Sequence, residues 1–231
     1  MAIPKFFHNT DRFVEGESVL LSDEEARHAA LSRRLQVNDA VILLDGIGNK
    51  AIGKFTELNK RVAKITIEQI EHAQMSETDI VVASALPKGD RQKIMLDMLT
   101  QLGVTTFIPL NCEFSATKAS EKNVQKWHRI VVEACKQSGN PYLMNIQSPK
   151  AISELIHSQF WSGRSVFLAD QHAKKQNQHG QQKILVVIGP EGGFSDQEST
   201  QLRNAGAKGL NLGAHILRTE TAAVSAAAKF V

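Results

Sequence analysis

Two rhythms of apolar and polar residues divide this chain. VAKITIEQI (62–70) alternates at period 2, as a strand with one buried face does, and AIGKFTEL (51–58) precedes it across a turn at Asn59-Lys60. SVLL (18–21) and VILLD (41–45) add two short strands. The second ends in Asp45-Gly46-Ile47-Gly48-Asn49, where glycine permits the positive φ of a turn. Ser22, three residues before Glu25, has capping-box spacing and predicts a helix over about 23–35. Short, closely spaced strands with turn signals predict a small β-rich domain over residues 1–72, a barrel or sandwich.

A polar, aperiodic stretch at 71–78 reads as a linker. Beyond it strands alternate with helices: strands at 79–86, 104–110, 165–170, 184–190 and 208–213, and helices near 90–102, 121–138, 151–158, from 196 and from about 219. The runs SVFLA and ILVVI are continuously apolar, as strands buried on both faces are. The alternation predicts an α/β domain over 73–231 built on a parallel sheet. Gln171–Gln182 (QHAKKQNQHGQQ) reads as a solvated connector.

Composition narrows this picture. With 231 residues, 42% hydrophobic and 22% charged, the chain has the make-up of a globular protein of one large or two small domains, not of a disordered or fibrous one. No apolar run approaches the roughly 20 residues of a membrane span, and the N-terminus lacks the apolar core of a signal peptide. Two cysteines, Cys112 and Cys135, make no disulfide framework, so the reducing cytoplasm is the expected location. They lack CxxC spacing, no HExxH occurs and the His are scattered, so no metal site is expected. Residues 1–72 hold 10 basic and 11 acidic side chains and residues 73–231 hold 17 and 13, which permits an anionic partner without demanding one.

Three segments can carry chemistry. Ile188-Gly189-Pro190-Glu191-Gly192-Gly193 leaves a buried strand and enters a helix capped by Ser195 and Glu198. Ligands of open α/β sheets bind at the carboxyl ends of strands, and glycine there lets a ligand approach the backbone. A bare glycine pair is more often a tight turn without a ligand, and the spacing is neither GxGxxG nor a Walker A loop. Leu212-Gly213-Ala214-His215-Ile216-Leu217-Arg218-Thr219-Glu220-Thr221 repeats the strand-to-helix arrangement. Thr219, Glu220 and Thr221 suit a helix start on structural grounds alone. Arg218 stands apart, because a guanidinium at a strand's end can grip phosphate or a carbonyl oxygen. Lys88 and Arg91, in LPKGDR (86–91), can bind phosphate or simply face solvent. Trp127 and Trp161 read as core anchors.

These segments, in this order behind a β-rich domain, resemble the RsmE family: bacterial 16S ribosomal RNA uridine-N3 methyltransferases of the SPOUT superfamily. The resemblance rests on His28 and Arg34, LPKGDR (86–91), QLGV (101–104), EACKQSGN (133–140), IGPEGG (188–193) and LGAHILRTETA (212–222). It implies a PUA-like β-barrel followed by a SPOUT α/β domain with a C-terminal deep trefoil knot. It further implies a homodimer, S-adenosylmethionine as cofactor, and as target the uridine at conventional position 1498 of 16S rRNA in the small subunit. The cofactor would lie on Leu168, Ile188, Gly189, Gly192, Gly193, Leu212, Gly213, Ile216, Leu217 and Thr221. RNA would meet Lys5, His28, Arg34, Lys88 and Arg91. Uridine N3 bears a proton and is a poor nucleophile until it leaves. Arg218 would orient the uracil or its phosphate and stabilise developing negative charge, with Glu220, Glu191 or a water taking the proton.

The chain departs from the family pattern at His215, where Arg is common, at Gln101 (Glu) and at Asn140 (Arg). Cys112-Glu113-Phe114 stands where an ERS- or ERC-like segment is usual, so an arginine is absent. An imidazole in place of a guanidinium at 215 would make activity more pH-sensitive. Two other functions fit the same residues: a SPOUT enzyme acting on ribose 2′-O or another base, and a non-catalytic rRNA-binding assembly factor.

Overall fold

Half-buried and fully buried strands sort into two sheets. The computed structural model describes residues 3–32, 34–174, 180 and 182–231, so part of the polar connector, 175–179 and 181, and position 33 lie outside the described residues. The chain forms two units: residues up to Met75 together with Cys135–Leu143, and Ser76–Ala134 together with Met144–Val231.

The first unit holds a five-stranded sheet in the order β1-β3-β4-β5-β2, with β1 Lys5–Phe7, β2 Ser18–Leu20, β3 Ala40–Leu44, β4 Asn49–Leu58 and β5 Ala63–His72. All neighbours are antiparallel except β1 and β3. The alternation of β5 is realised: Ala63, Ile65 and Ile67 are buried and join Phe6, Val41, Leu43 and Phe55 in one core, Phe6 meeting Phe55 edge to face at 6.0 Å. Two asparagine and aspartate turns close the hairpins. Asp45 Oδ1 accepts from Ile47 N–H and Asn49 N–H (2.9 and 3.0 Å), and Asn59 Oδ1 from Arg61 N–H and Val62 N–H (2.8 and 2.9 Å).

Three expectations for this region change. The stretch 71–78 is not all linker, because β5 continues through His72 and Ala73 N–H bonds Gly48 O (2.9 Å). The helix expected over 23–35 is α1 Asp23–Arg27 followed by a π-helical turn, His28–Ser32. Arg34 (φ 53°) turns the chain left-handed and Leu35 N–H reaches Ala29 O (3.1 Å), which ends the helix early. Ser22 caps α1 through Glu25 N–H (3.3 Å). The Glu25 carboxylate is taken by Lys136 Nζ (2.7 Å), a nearly buried ion pair. Lys136 arrives because Cys135–Leu143 packs with the first unit: Leu143 N–H bonds Gly46 O (2.9 Å) and Tyr142 Oη donates to Ala73 O (2.8 Å).

The second unit is a six-stranded, wholly parallel sheet in the order β11-β9-β10-β6-β7-β8. Its elements are β6 Asp79–Ala85, α2 Arg91–Gln101, β7 Thr106–Leu110, α3 Glu121–Ser138, β8 Asn145–Ile146, α4 Ile152–Ile156, β9 Ser165–Ala169, β10 Lys183–Ile188, α5 Asp196–Asn204, β11 Lys208–Leu210 and α6 Thr219–Ala228. β6 and β10 are buried on both faces, as their unbroken apolar runs require. Buried Ala222, Ala223, Ala226 and Ala227 let α6 approach α2, β6 and β10 closely. Trp127 is buried against the edge of Phe107 (6.4 Å), and half-buried Trp161 donates to Ala205 O (3.1 Å). Burial pushes the thiols of Cys112 and Cys135 up to about 12, with the Glu198 carboxylate adding to it at Cys112, so both are inert. No helix among the described residues is long and apolar enough to cross a membrane.

Candidate functional site

Parallel strands end on the same edge of a sheet, and β10, β9 and β11 are consecutive neighbours, so three strand exits open side by side. They enclose a cavity of about 400 Å³, within the range of small-molecule sites. Its wall includes Leu168–Gln171 at the end of β9, Ile188–Phe194 at the end of β10, Leu210, Leu212, Gly213 and His215–Leu217 at the end of β11, and Ser199, Arg203, Thr219 and Ala222 from the helices. The two glycine turns therefore meet with the exit of β9 between them.

The first turn is shaped by its own residues. Gly189 admits the Phe194 ring, whose Cε2 would lie 2.9 Å from a Cβ at position 189. Gly193 (φ 77°) takes a left-handed conformation and its N–H bonds Pro190 O (2.9 Å). The capping box is reciprocal: Ser195 Oγ accepts from Glu198 N–H (3.3 Å) and Glu198 Oε2 from Ser195 N–H (3.0 Å).

The second turn is fastened to the exit of β9. Asn211 Nδ2 donates to Gln171 O (2.7 Å) and Ala173 O (3.0 Å), while Asn211 Oδ1 accepts from Gly213 N–H (3.0 Å). Asp170 N–H bonds Leu210 O (3.0 Å), and Thr219, buried at the start of α6, donates to Gly189 O (3.4 Å). Asp170 also pairs with Arg203 (3.3 Å) inside the wall. This mixture of glycine-exposed backbone, apolar side chains and a few polar groups suits a small molecule with both apolar and polar parts.

Nine of the ten residues expected at the cofactor, Leu168, Ile188, Gly189, Gly192, Gly193, Leu212, Gly213, Ile216 and Leu217, line the cavity. Thr221 does not, being exposed on α6. Of the expected catalytic groups Glu191 is an exposed part of the wall, whereas Arg218 and Glu220 lie outside it. Arg218 occupies the N-cap position of α6 between two lining residues, with its side chain exposed. Glu220 follows in the first turn. Its Oε1 lies 3.8 Å from Arg91 Nη1, and its buried Oε2 has no hydrogen-bond partner among the described residues.

Arg91 is thus tied to Glu220 in the second unit, while Lys88 is exposed on the preceding turn. Lys5, His28 and Arg34 belong to the first unit, Lys5 lying against Gly139 and the other two exposed. Sequence reasoning missed Asp170, Ser199 and Arg203 in the wall. Asp170 carried a usable sign, as the polar residue ending an apolar strand run. Among the described residues no group of three or more His, Cys, Asp or Glu side chains converges as a metal site would.

Comparison with known proteins bears on this site. A family model described as an RNA methyltransferase domain matches residues 74–231, and one described as an RNA methyltransferase PUA domain matches residues 21–68. Ribosomal RNA small subunit methyltransferase E of Aquifex aeolicus is 32% identical over 225 residues, covering 95% of each chain. Its counterpart in Rickettsia conorii is 27% identical, covering 94% of this chain and 91% of its own. A crystal structure of ribosomal RNA small subunit methyltransferase E from Neisseria gonorrhoeae, bound to S-adenosyl methionine, superposes with a TM-score of 0.90. That chain is 29% identical, with 98% of this chain and 96% of that one covered.

Proposed function

The chain belongs to the RNA methyltransferase family that includes ribosomal RNA small subunit methyltransferase E, and on that premise we propose that it methylates N3 of a uridine in 16S rRNA, using S-adenosylmethionine. The target is the uridine at conventional position 1498. The observation that carries this reading is the cavity at the three strand exits, with both glycine turns in its wall.

The residues present fit the cofactor. Leu168, Ile188, Leu212 and Leu217 offer apolar surface for an adenine, and Gly189 and Gly192 leave room that side chains would fill. Asp170, Ser199 and Arg203 offer donors and acceptors for hydroxyl, ammonium and carboxylate groups. When bound, S-adenosylmethionine supplies an electrophilic methyl group on a sulfonium.

The protein's own task is to place uracil in line and to manage the N3 proton. Arg218, exposed at the lip, orients the uracil or its phosphate and stabilises the negative charge that grows as N3 loses its proton. Glu220 and Glu191 are the candidate proton acceptors: Glu191 stands in the cavity wall, and Glu220 Oε2 has no hydrogen-bond partner among the described residues while Arg91 stands beside Oε1. Lys5, His28, Arg34 and Lys88 serve as RNA contacts. The reading includes the C-terminal trefoil knot, cytoplasmic action and a homodimer. Ile94 and Met98, one turn apart on α2 and both exposed, are apolar surface that a second copy would cover.

The test is transfer of labelled methyl from S-adenosylmethionine to small ribosomal subunits lacking the modification, with the labelled nucleoside identified by mass spectrometry. Label in 3-methyluridine is expected. Label on a ribose or another base would move the target. Absence of both label and cofactor binding would overturn the enzyme reading.

A further inference from the structure

The loop after β7, residues 111–120, has no part in the mechanism above, yet it is tightly organised and lifts a large ring into solvent. Asn111 closes its base, with Oδ1 accepting from Ala119 N–H (2.7 Å) and Nδ2 donating to Ala119 O (3.2 Å). Within it Ser115 Oγ accepts from Cys112 N–H (3.0 Å) and Lys118 Nζ donates to Cys112 O (3.0 Å). Glu113 N–H donates to Glu198 Oε1 (2.9 Å), while Glu198 Oε2 holds Ser195 N–H (3.0 Å). One carboxylate thus fixes this loop to the end of the first glycine turn. Phe114, 51% exposed, lies beside Gly192 of the cavity wall. A Cβ at 192 would be 3.4 Å from Phe114 Cβ and 4.0 Å from its Cγ.

Scattered exposed apolar side chains need no explanation. A ring is different when its loop is immobilised by side-chain hydrogen bonds on both sides and its neighbour lines a ligand cavity. We infer that Phe114 is a stacking platform for an unpaired base of the RNA substrate at the mouth of that cavity. The inference rests on the RNA methyltransferase reading and names a recognition element within it. Single-stranded RNA is read by splaying its bases onto aromatic faces, and a phenyl ring stacks with any base. The loop's own cation, Lys118, donates to Cys112 O, and the contact that the phenyl ring itself offers a base is dispersive.

The test measures RNA and cofactor separately, on intact small subunits, for Phe114→Ala, Phe114→Leu and Phe114→Trp. Expected are a rise of about tenfold in KM for the RNA substrate in the Ala and Leu variants. The Trp variant should stay near wild type, its indole emission quenched by RNA, and cofactor Kd should be unchanged in all three. A Leu variant as good as Phe would reduce the role to apolar packing on Gly192. An unchanged KM in the Ala variant, a changed cofactor Kd, or a shift of the Ala variant to a smaller species in sedimentation would each overturn the platform, the last by showing that a second copy covers the ring. Direct RNA titration separates this inference from the function it rests on. Wild-type binding that depends on Phe114 without methyl transfer would uphold the platform and refute the enzyme, whereas transfer indifferent to Phe114 would do the reverse.

Discussion

The turn at 189–195 is held by its own residues, whereas the turn at 211–218 is held by a side chain reaching away from it. In the first, Phe194 seats against Gly189 and Ser195 and Glu198 complete a reciprocal cap. In the second, Asn211 fastens the chain to Gln171 and Ala173, and beyond it Ile216 and Arg218 project into solvent, Ile216 being 83% exposed. A self-supporting turn is suited to a fixed cradle. A turn tied to a neighbouring strand exit, with an exposed cation at its far end, is suited to presenting a group to a second, larger ligand. Cofactor binding should therefore depend on interior packing in the first turn, and substrate handling on exposed groups in the second.

Substitutions can break this contrast, the most severe first. Gly189→Ala places a methyl group 2.9 Å from the Phe194 ring and unseats it. Cofactor affinity should fall at least about tenfold and stability by roughly 1–3 kcal/mol, read by calorimetric titration and thermal melting. Asn211→Ala removes two hydrogen bonds that join the second turn to the β9 exit and one within the turn, to Gly213 N–H. A loss of about 1–2 kcal/mol in denaturant unfolding is expected, with cofactor affinity changing only a few-fold. Glu198→Gln is milder. Gln has one acceptor oxygen where Glu198 serves Ser195 N–H and Glu113 N–H with two, so one donor loses its partner at about 1 kcal/mol.

The smallest effect lies away from both turns, at Asp79. Burial pushes its carboxyl up, but hydrogen bonds from Thr105 and Arg164 and the Arg164 charge outweigh that and hold it below the usual carboxylate value. A depressed folded pKa means that the contribution is present above the ordinary carboxylate range and is lost as pH falls through the folded value. Arg164→Ala should remove that contribution, lowering neutral-pH stability slightly, Asp79 being over a third exposed, and flattening the fall of stability below about pH 4.

Most element boundaries were legible because local pattern determines them. The alternation of β5, the apolar runs of β9 and β10 and the Ser195–Glu198 spacing all carry their structure within a few residues. Features that depend on distant partners were not legible. β1 is three residues long and exists as a strand through parallel pairing with β3, so no periodicity announces it. Cys135–Ser138 is the last turn of α3 yet groups with the first unit, together with the residues that follow it to Leu143. Ser22–Glu25 and Ser195–Glu198 have the same spacing, but Glu25 is drawn to Lys136, more than a hundred residues away in sequence, and only the second box closes reciprocally. At the site, the glycines foretold two walls of the cavity. The third, with Asp170, follows from β9 lying between β10 and β11, which the order of strands in sequence does not reveal.

The division of labour between the turns is tested most directly by Arg218→Ala, with cofactor titration and methyl transfer to small subunits measured on one preparation. The account predicts cofactor Kd within about tenfold of wild type, roughly 1.4 kcal/mol, together with loss of turnover. Loss of cofactor binding in step with turnover would contradict it, making Arg218 part of the cavity's own construction.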